Sequence, residues 1–188
     1  SNIIQALEID GFQIGTRVSV NEDGRVFNWI AFKDNGDSDF KTGSYTGNGI
    51  DNRSITGVGF QPDLVWINQN NATGDPYAIF RHANDSGDTT HFFTSLADAV
   101  DMIQAFEIDG FQVGTSKSVN ELDKTYYYVA MKTSVGRFQQ GNYTGNGVDN
   151  RSISGVGFKP DLLWIRNDTS QTNIPAVMVT NKHTIGKT

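Results

Sequence analysis

Gly43–Ile67 reads GSYTGNGIDNRSITGVGFQPDLVWI, and Gly141–Ile165 reads GNYTGNGVDNRSISGVGFKPDLLWI. Twenty of the 25 positions are identical at an offset of 98 residues. A second pair of strings, Ile4–Asn21 (IQALEIDGFQIGTRVSVN) and Ile103–Asn120 (IQAFEIDGFQVGTSKSVN), repeats at an offset of 99. The chain therefore carries an internal repeat of about 98 residues. The exchanges Ile14/Val113, Ile50/Val148 and Val65/Leu163 keep volume and apolarity, as core positions do.

The repeat is out of phase with the chain. One complete unit occupies 43–140; 1–42 is the back part of a unit and 141–188 the front part of another. The two partial units are nearly complementary, so 141–188 is expected to close with 1–33 of the same or a neighbouring chain. The opening Ser1-Asn2, without Met, reads as a processed or cut product.

The local pattern is that of an all-β protein, a β-sandwich of jelly-roll type built from two tandem repeats. Val26–Lys33 (VFNWIAFK) and Thr125–Lys132 (TYYYVAMK) are rich in aromatic and β-branched residues and predict central strands. Asp63–Asn68 and Asp161–Arg166 follow a proline and predict buried strands, and Pro76–Phe80 and Pro175–Thr180 predict another pair. Asp10-Gly11 and Asp109-Gly110 mark turns between short strands, and Asn21–Gly24 predicts a hairpin turn. Gly47-Asn48-Gly49 and Gly145-Asn146-Gly147 predict tight loops, and Gly57-Val58-Gly59 a bulge. Ser95–Phe106 is the one helix candidate, capped by Ser95.

Composition narrows the function classes. A net charge of −6 without a Lys/Arg block argues against nucleic acid as a partner. No apolar run approaches the roughly 20 residues that span a bilayer, so no membrane insertion is expected. The absence of cysteine removes disulfides, thiol nucleophiles and zinc–thiolate sites. Six Asn-x-Ser/Thr sequons, at Asn52, Asn71, Asn84, Asn142, Asn150 and Asn167, read as glycan acceptors in a eukaryotic secreted chain, or as ordinary turn residues.

Chemistry-bearing residues are few. His82, His91 and His183 lie at no familiar metal-ligand spacing and read as solvated loop residues. The repeated carboxylates Asp63/Asp161 and Asp51/Asp149 stand beside turns, where Asp has a structural job, so neither pair predicts a glycosidase. Asp34, Asp37 and Asp39 form either a calcium loop or a solvated acidic turn, and no bidentate Glu follows them. No other cofactor is expected. The repeated tetrads Asp51-Asn52-Arg53-Ser54 and Asp149-Asn150-Arg151-Ser152 are candidate ligand sites, or turns tied by an Asp–Arg pair. Trp29, Trp66 and Trp164 stand in apolar strand contexts that argue for core rather than sugar stacking.

On YTGNG…DNRSITGVGFQPDLVWI followed by IQAFEIDGFQVG…VN…YYYVAMK, the chain resembles the roughly 100-residue β-rich repeats of tailed-phage virion proteins and large secreted bacterial proteins. The resemblance covers nearly the whole chain and brings no catalytic residues with it. It implies an extracellular, cell-surface or virion setting. Together with the repeat it leads us to expect a non-enzymatic structural or adhesive module, self-associating head to tail by strand complementation. The alternative is a carbohydrate-binding, lectin-like jelly roll with a glycan partner.

Overall fold

A computed structural model describes residues 3–27, 29–69, 77–94, 96–167 and 177–180. The chain divides into two compact units, Ser1–Lys33 and Asp34–Thr188. Almost all regular structure is antiparallel β, and among the described residues no helix is long and apolar enough to cross a membrane.

The first unit holds a hairpin, β1 (Ile4–Glu8) with β2 (Gly11–Ile14), closed at Asp10-Gly11 as the sequence predicts, and a single helical turn, α1 (Val18–Asn21). Among the described residues of Val26–Lys33 no strand forms, and so Asn21–Gly24 is no hairpin turn: Val20 lies in α1 and Val26 in irregular chain. Trp29, expected in a core, is 67% exposed and meets Phe12 edge-on at 5.7 Å.

The second unit contains a five-stranded sheet and a three-stranded sheet. In chain order the strands are β3 (Phe40–Thr46), β4 (Arg53–Thr56), β5 (Leu64–Gln69), β6 (Ile79–His82), β7 (His91–Phe92), β8 (Ile103–Glu107), β9 (Gly110–Val113) and β10 (Thr125–Met131). The turn α2 (Lys117–Asn120) precedes β10, and a hairpin of β11 (Leu162–Ile165) and β12 (Val177–Thr180) follows it. The larger sheet has the order β3-β10-β5-β6-β7 and the smaller β4-β9-β8.

β10 is central because its alternation suits one buried face. Tyr126, Tyr128 and Ala130 point into the core, and both edges pair, to β3 and to β5. The buried faces of the two sheets meet in one sandwich-like core, with Tyr45, Ile67, Ile79 and Tyr126 on one side and Ile55, Ile103, Phe111 and Val113 on the other. Each such side chain contributes about 1.5–3 kcal/mol on leaving water.

The helix predicted over Ser95–Phe106 is absent. Ser95 lies outside the described residues, and Ile103–Phe106 are drawn into β8 by pairing across the Asp109-Gly110 turn with β9. Gly57-Val58-Gly59 is not a strand bulge but a turn after β4, with φ of +86° and +89° at its glycines. Its amides are held by Asp109, whose Oδ2 accepts Gly57 N–H at 3.0 Å and whose Oδ1 accepts Gly59 N–H at 2.6 Å. The predicted strands at Asp63–Asn68 and Asp161–Arg166 appear as β5 and β11. Those at Pro76–Phe80 and Pro175–Thr180 correspond to β6 and β12, with Pro76 and Pro175 outside the described residues.

Candidate functional site

The titratable side chains that converge most closely lie at the β6–β7 edge of the larger sheet. His82 ends β6, Asp85 sits in the turn after it, and His91 opens β7. Phe80 pairs with His91 in the β6–β7 ladder, which fixes the imidazole beside the turn. Asp85 Oδ1 lies 2.8 Å from His91 Nε2 and 2.9 Å from His82 Nε2, and Asp85 Oδ2 accepts the His82 backbone N–H at 2.8 Å. On its other side His91 Nδ1 lies 2.9 Å from Asp98 Oδ1, which also takes Arg166 Nη2 at 2.6 Å. The imidazole planes of His82 and His91 stack at 5.6 Å.

The five side chains stand in a row, His82, Asp85, His91, Asp98 and Arg166, basic groups alternating with carboxyls. The side chains of Asp85 and His91 are 1% and 3% exposed, that of His82 24%. Burial opposes charge on Asp85, but hydrogen bonds from both imidazoles and the His82 amide outweigh it and hold the carboxyl well below the usual range. Burial likewise opposes charge on His91, and is outweighed by Asp85 and Asp98, so its pKa is raised. His82 and His91 are therefore not the solvated loop residues that their spacing suggested. His183 lies outside the described residues. The available signal was His82-x-x-Asp85 with His91 close behind, short enough for one strand–turn–strand to gather all three.

The sequence-predicted sites are placed elsewhere. Asp34 accepts the amides of Gly36 (2.8 Å) and Thr42 (3.1 Å), which lower its pKa, and Asp37 and Asp39 each lie 3.2 Å from Arg137 Nη1. Among the described residues these three carboxylates do not gather at one point; the cluster with metal-ligand geometry is His82, Asp85 and His91. Asp63 Oδ2 accepts Thr133 N–H at 2.7 Å, the structural job expected of it.

The two tetrads adopt the same turn, but not through an Asp–Arg pair. Asp51 accepts both the backbone and side-chain N–H of Asn52 at 2.8 Å, and Asp149 does the same for Asn150. Asn52 and Asn150 both have φ of +56°. Arg53 Nη1 donates to Thr46 O at 2.5 Å and Arg151 Nη1 to Thr144 O at 2.5 Å, each guanidinium covering a tyrosine, Tyr45 or Tyr143.

The surroundings of the two tetrads differ. In the complete unit Asn120 fills the concave side of the Gly47–Arg53 loop. Its Oδ1 accepts from Asn48 N (2.9 Å) and Arg53 Nη1 (3.1 Å), and its Nδ2 donates to Ile50 O (2.8 Å) and Gly114 O (3.0 Å). Around Gly145–Arg151 there is instead an open pocket lined by Tyr143, Asn146, Val148 and Arg151. Trp66 and Trp164 are half-buried and cross edge-on at 6.3 Å; a shallow apolar face beside Trp66 also carries Asn68, Phe93 and Tyr127.

The family described as "Domain of unknown function (DUF7483)" matches residues 34–136, more than half of the chain, which therefore belongs to that family. No curated protein and no solved structure matches it.

Proposed function

We propose that this DUF7483 member is a non-enzymatic structural repeat module of an extracellular assembly, such as a surface filament, surface layer or virion. Each junction is made when the 1–33 segment of one chain completes the 141–167 segment of its neighbour. One observation carries the proposal: positions that form the core of the complete unit are exposed in both partial units. Tyr45 is 9% exposed and its counterpart Tyr143 48%; Ile55 is 6% and Ile153 45%. On the other side Phe111 and Ile103 are 0% exposed, against 37% for Phe12 and 57% for Ile4. Exposed apolar surface of this kind marks an interaction face.

The polar groups match in the same way. The contacts of Asn120 with the Asn48 loop predict that Asn21 enters the Gly145–Arg151 pocket. Asn21 Nδ2 already donates to Gly15 O at 2.9 Å, as Asn120 does to Gly114 O. Asp109 on Gly57 and Gly59 predicts Asp10 on Gly155 and Gly157, whose φ angles of +95° and +82° keep the same turn. The bond from Ser54 Oγ to Glu107 Oε1 at 2.9 Å predicts one from Ser152 to Glu8. An added strand completes a sheet while burying the partner's apolar side chains, a recurrent mode of subunit joining that gives open filaments when the contact is head to tail.

Light scattering on a sizing column, with negative-stain microscopy of the same fractions, tests this reading. Concentration-dependent oligomers or fibres are expected. A monodisperse monomer at all concentrations would overturn it, and the half-units would then close within one molecule. The second reading, a lectin-like jelly roll, rests on the Trp66, Asn68, Phe93 and Tyr127 face, where aromatic rings stand beside an amide as in sugar recognition. A glycan array on the same protein decides that reading.

A further inference from the structure

We propose that His82, Asp85 and His91 bind a single divalent transition-metal ion of the zinc class, which clamps the β6–β7 edge of the sheet. This goes beyond the assembly reading, since all three ligands lie within residues 43–140 and only Arg166, behind Asp98, comes from the segment after them. The aligned position of His82 in the second copy is Asn181.

The convergence comes first. Two imidazole Nε2 atoms face one carboxylate oxygen at 2.9 and 2.8 Å, and all three ligand atoms lie within 4.8 Å of one another. These are hydrogen-bond distances; a shared ion about 2.0–2.2 Å from each atom holds its ligands about 3.3 Å apart, so loading spreads the three, already gathered on one strand–turn–strand, by roughly half an ångström and leaves positions open for water.

Proton accounting comes second. His91 has a carboxylate at each ring nitrogen, Asp98 at Nδ1 and Asp85 at Nε2. A neutral imidazole carries one proton. Placed on Nε2, it donates to Asp85 Oδ1; placed on Nδ1, toward Asp98, it turns the Nε2 lone pair to the Asp85 side, the orientation in which the ring ligates an ion.

The outer partners favour the metal ion. A ligating histidine almost always gives its other N–H to a carboxylate, a backbone carbonyl or water, and a ligating carboxylate is itself held by a hydrogen bond. Here Asp98 stands on His91 Nδ1 and is fixed by Arg166 at 2.6 Å, while Asp85 Oδ2 is fixed by the His82 amide at 2.8 Å. Two imidazoles and one carboxylate suit Zn²⁺, Co²⁺, Ni²⁺ or Cu²⁺ rather than Ca²⁺ or Mg²⁺, which take oxygen. The 24% exposure of the His82 side chain gives the ion a way in.

The test is calorimetric titration of Zn²⁺ into the chelator-treated full chain without a histidine tag, with the visible spectrum of the Co²⁺ form as a second readout. One ion per chain is expected, with a rise in Tm and a Co²⁺ spectrum showing nitrogen ligation. His82→Gln, at the exposed rim, is expected to abolish saturable binding. Asp98→Asn is expected to weaken it by about 10–100-fold, as loss of an outer partner does. His183→Gln is the control and leaves binding unchanged. Because His91→Ala removes a buried ring, the decision rests on the His82 and Asp98 variants, each checked for native circular dichroism. Absence of saturable binding, or binding that survives His82→Gln, would overturn the proposal and leave a protonated His91 as the bridging cation.

Discussion

The side-chain oxygen of Asn120 accepts the backbone N–H of Asn48 at 2.9 Å across 72 residues of sequence, and the same amide group makes three further bonds. Asn120 is fully buried, so removing its side chain strands the buried Gly114 O and takes the partner from the part-buried Asn48 N–H and Ile50 O. Asn120→Ala is expected to destabilise the chain by about 2–4 kcal/mol, since each stranded polar group costs about 1–3 kcal/mol. Urea denaturation followed by tryptophan fluorescence measures this. Asn21→Ala, at the aligned exposed position, removes one bond, to Gly15 O, and is expected to move the midpoint far less while reducing the oligomer fraction on the sizing column. Equal effects of the two variants on stability would contradict the assembly reading.

A second contrast uses two glycines. A Cβ at Gly43 would lie 2.4 Å from Tyr128 Cζ, so the ring of a core tyrosine occupies the space that a side chain would need. A Cβ at the aligned Gly141 meets nothing within 4 Å. Gly43→Ala is expected to cost about 1–3 kcal/mol through overpacking. Gly141→Ala is expected to be neutral in the dissociated chain and to block the proposed assembly, in which Trp29 of the incoming segment would take the place that Tyr128 takes beside Gly43. Thermal melts at low concentration and light scattering at high concentration separate the two effects.

These contrasts show which parts of the molecule could be read from sequence. Asp10-Gly11, Asp109-Gly110, β5 and β10 were legible because turn chemistry and side-chain alternation act within a few residues. Val26–Lys33 carries the same pattern as Thr125–Lys132, yet only the latter pairs, since a strand also needs the edges that β3 and β5 give to β10. The helix expected at Ser95–Phe106 gave way to the β8–β9 pairing for the same reason. The imidazole–carboxylate row was illegible because Asp98 and Arg166 join it from 68 residues apart, and because His82 and Asp85 align with Asn181 and Thr184 rather than with a second pair of ligands. Asn120 left a signal that was available, its match to Asn21 in the SVN strings, although nothing local marks it as a docking residue.

The Asp109 cap gives an acid dependence with a definite sign. Bonds from the Gly57 and Gly59 amides lower its pKa below the ordinary carboxylate value of about 3.9. A lowered folded-state pKa contributes stability above the unfolded value, and that contribution is lost as pH falls through the folded value. The turn after β4 is therefore expected to loosen only below about pH 4, and Asp109→Asn to abolish that part of the acid dependence. If Asp10 caps Gly155 and Gly157 of a neighbour, Asp10→Asn should reduce assembly at neutral pH without moving the Tm of the dissociated chain. Amide hydrogen exchange at Gly57 and Gly155 distinguishes the two caps.

Three core tyrosines are expected to set the alkaline limit of stability. Burial pushes the phenols of Tyr45, Tyr126 and Tyr128 up, most strongly at Tyr45, where neighbouring Tyr126 adds to the effect and Arg53 opposes it. Tyr126 Oη also donates to Lys117 O at 2.6 Å and accepts Glu121 N–H at 2.9 Å, a network that ionisation would break on its donor side. For a group whose folded pKa is raised, stability is fully present below the unfolded value of about 10 and is lost as pH rises through the folded value. The chain is thus expected to hold its stability up to about pH 10 and to lose it steeply above, with phenolate absorbance from these rings appearing together with loss of the β-sheet signal. Tyr126→Phe removes one of the titrating phenols and also strands Lys117 O and Glu121 N–H. It should therefore lower the urea midpoint at neutral pH while making the alkaline limb shallower. An alkaline limb unchanged in Tyr126→Phe would place the titration elsewhere in the core.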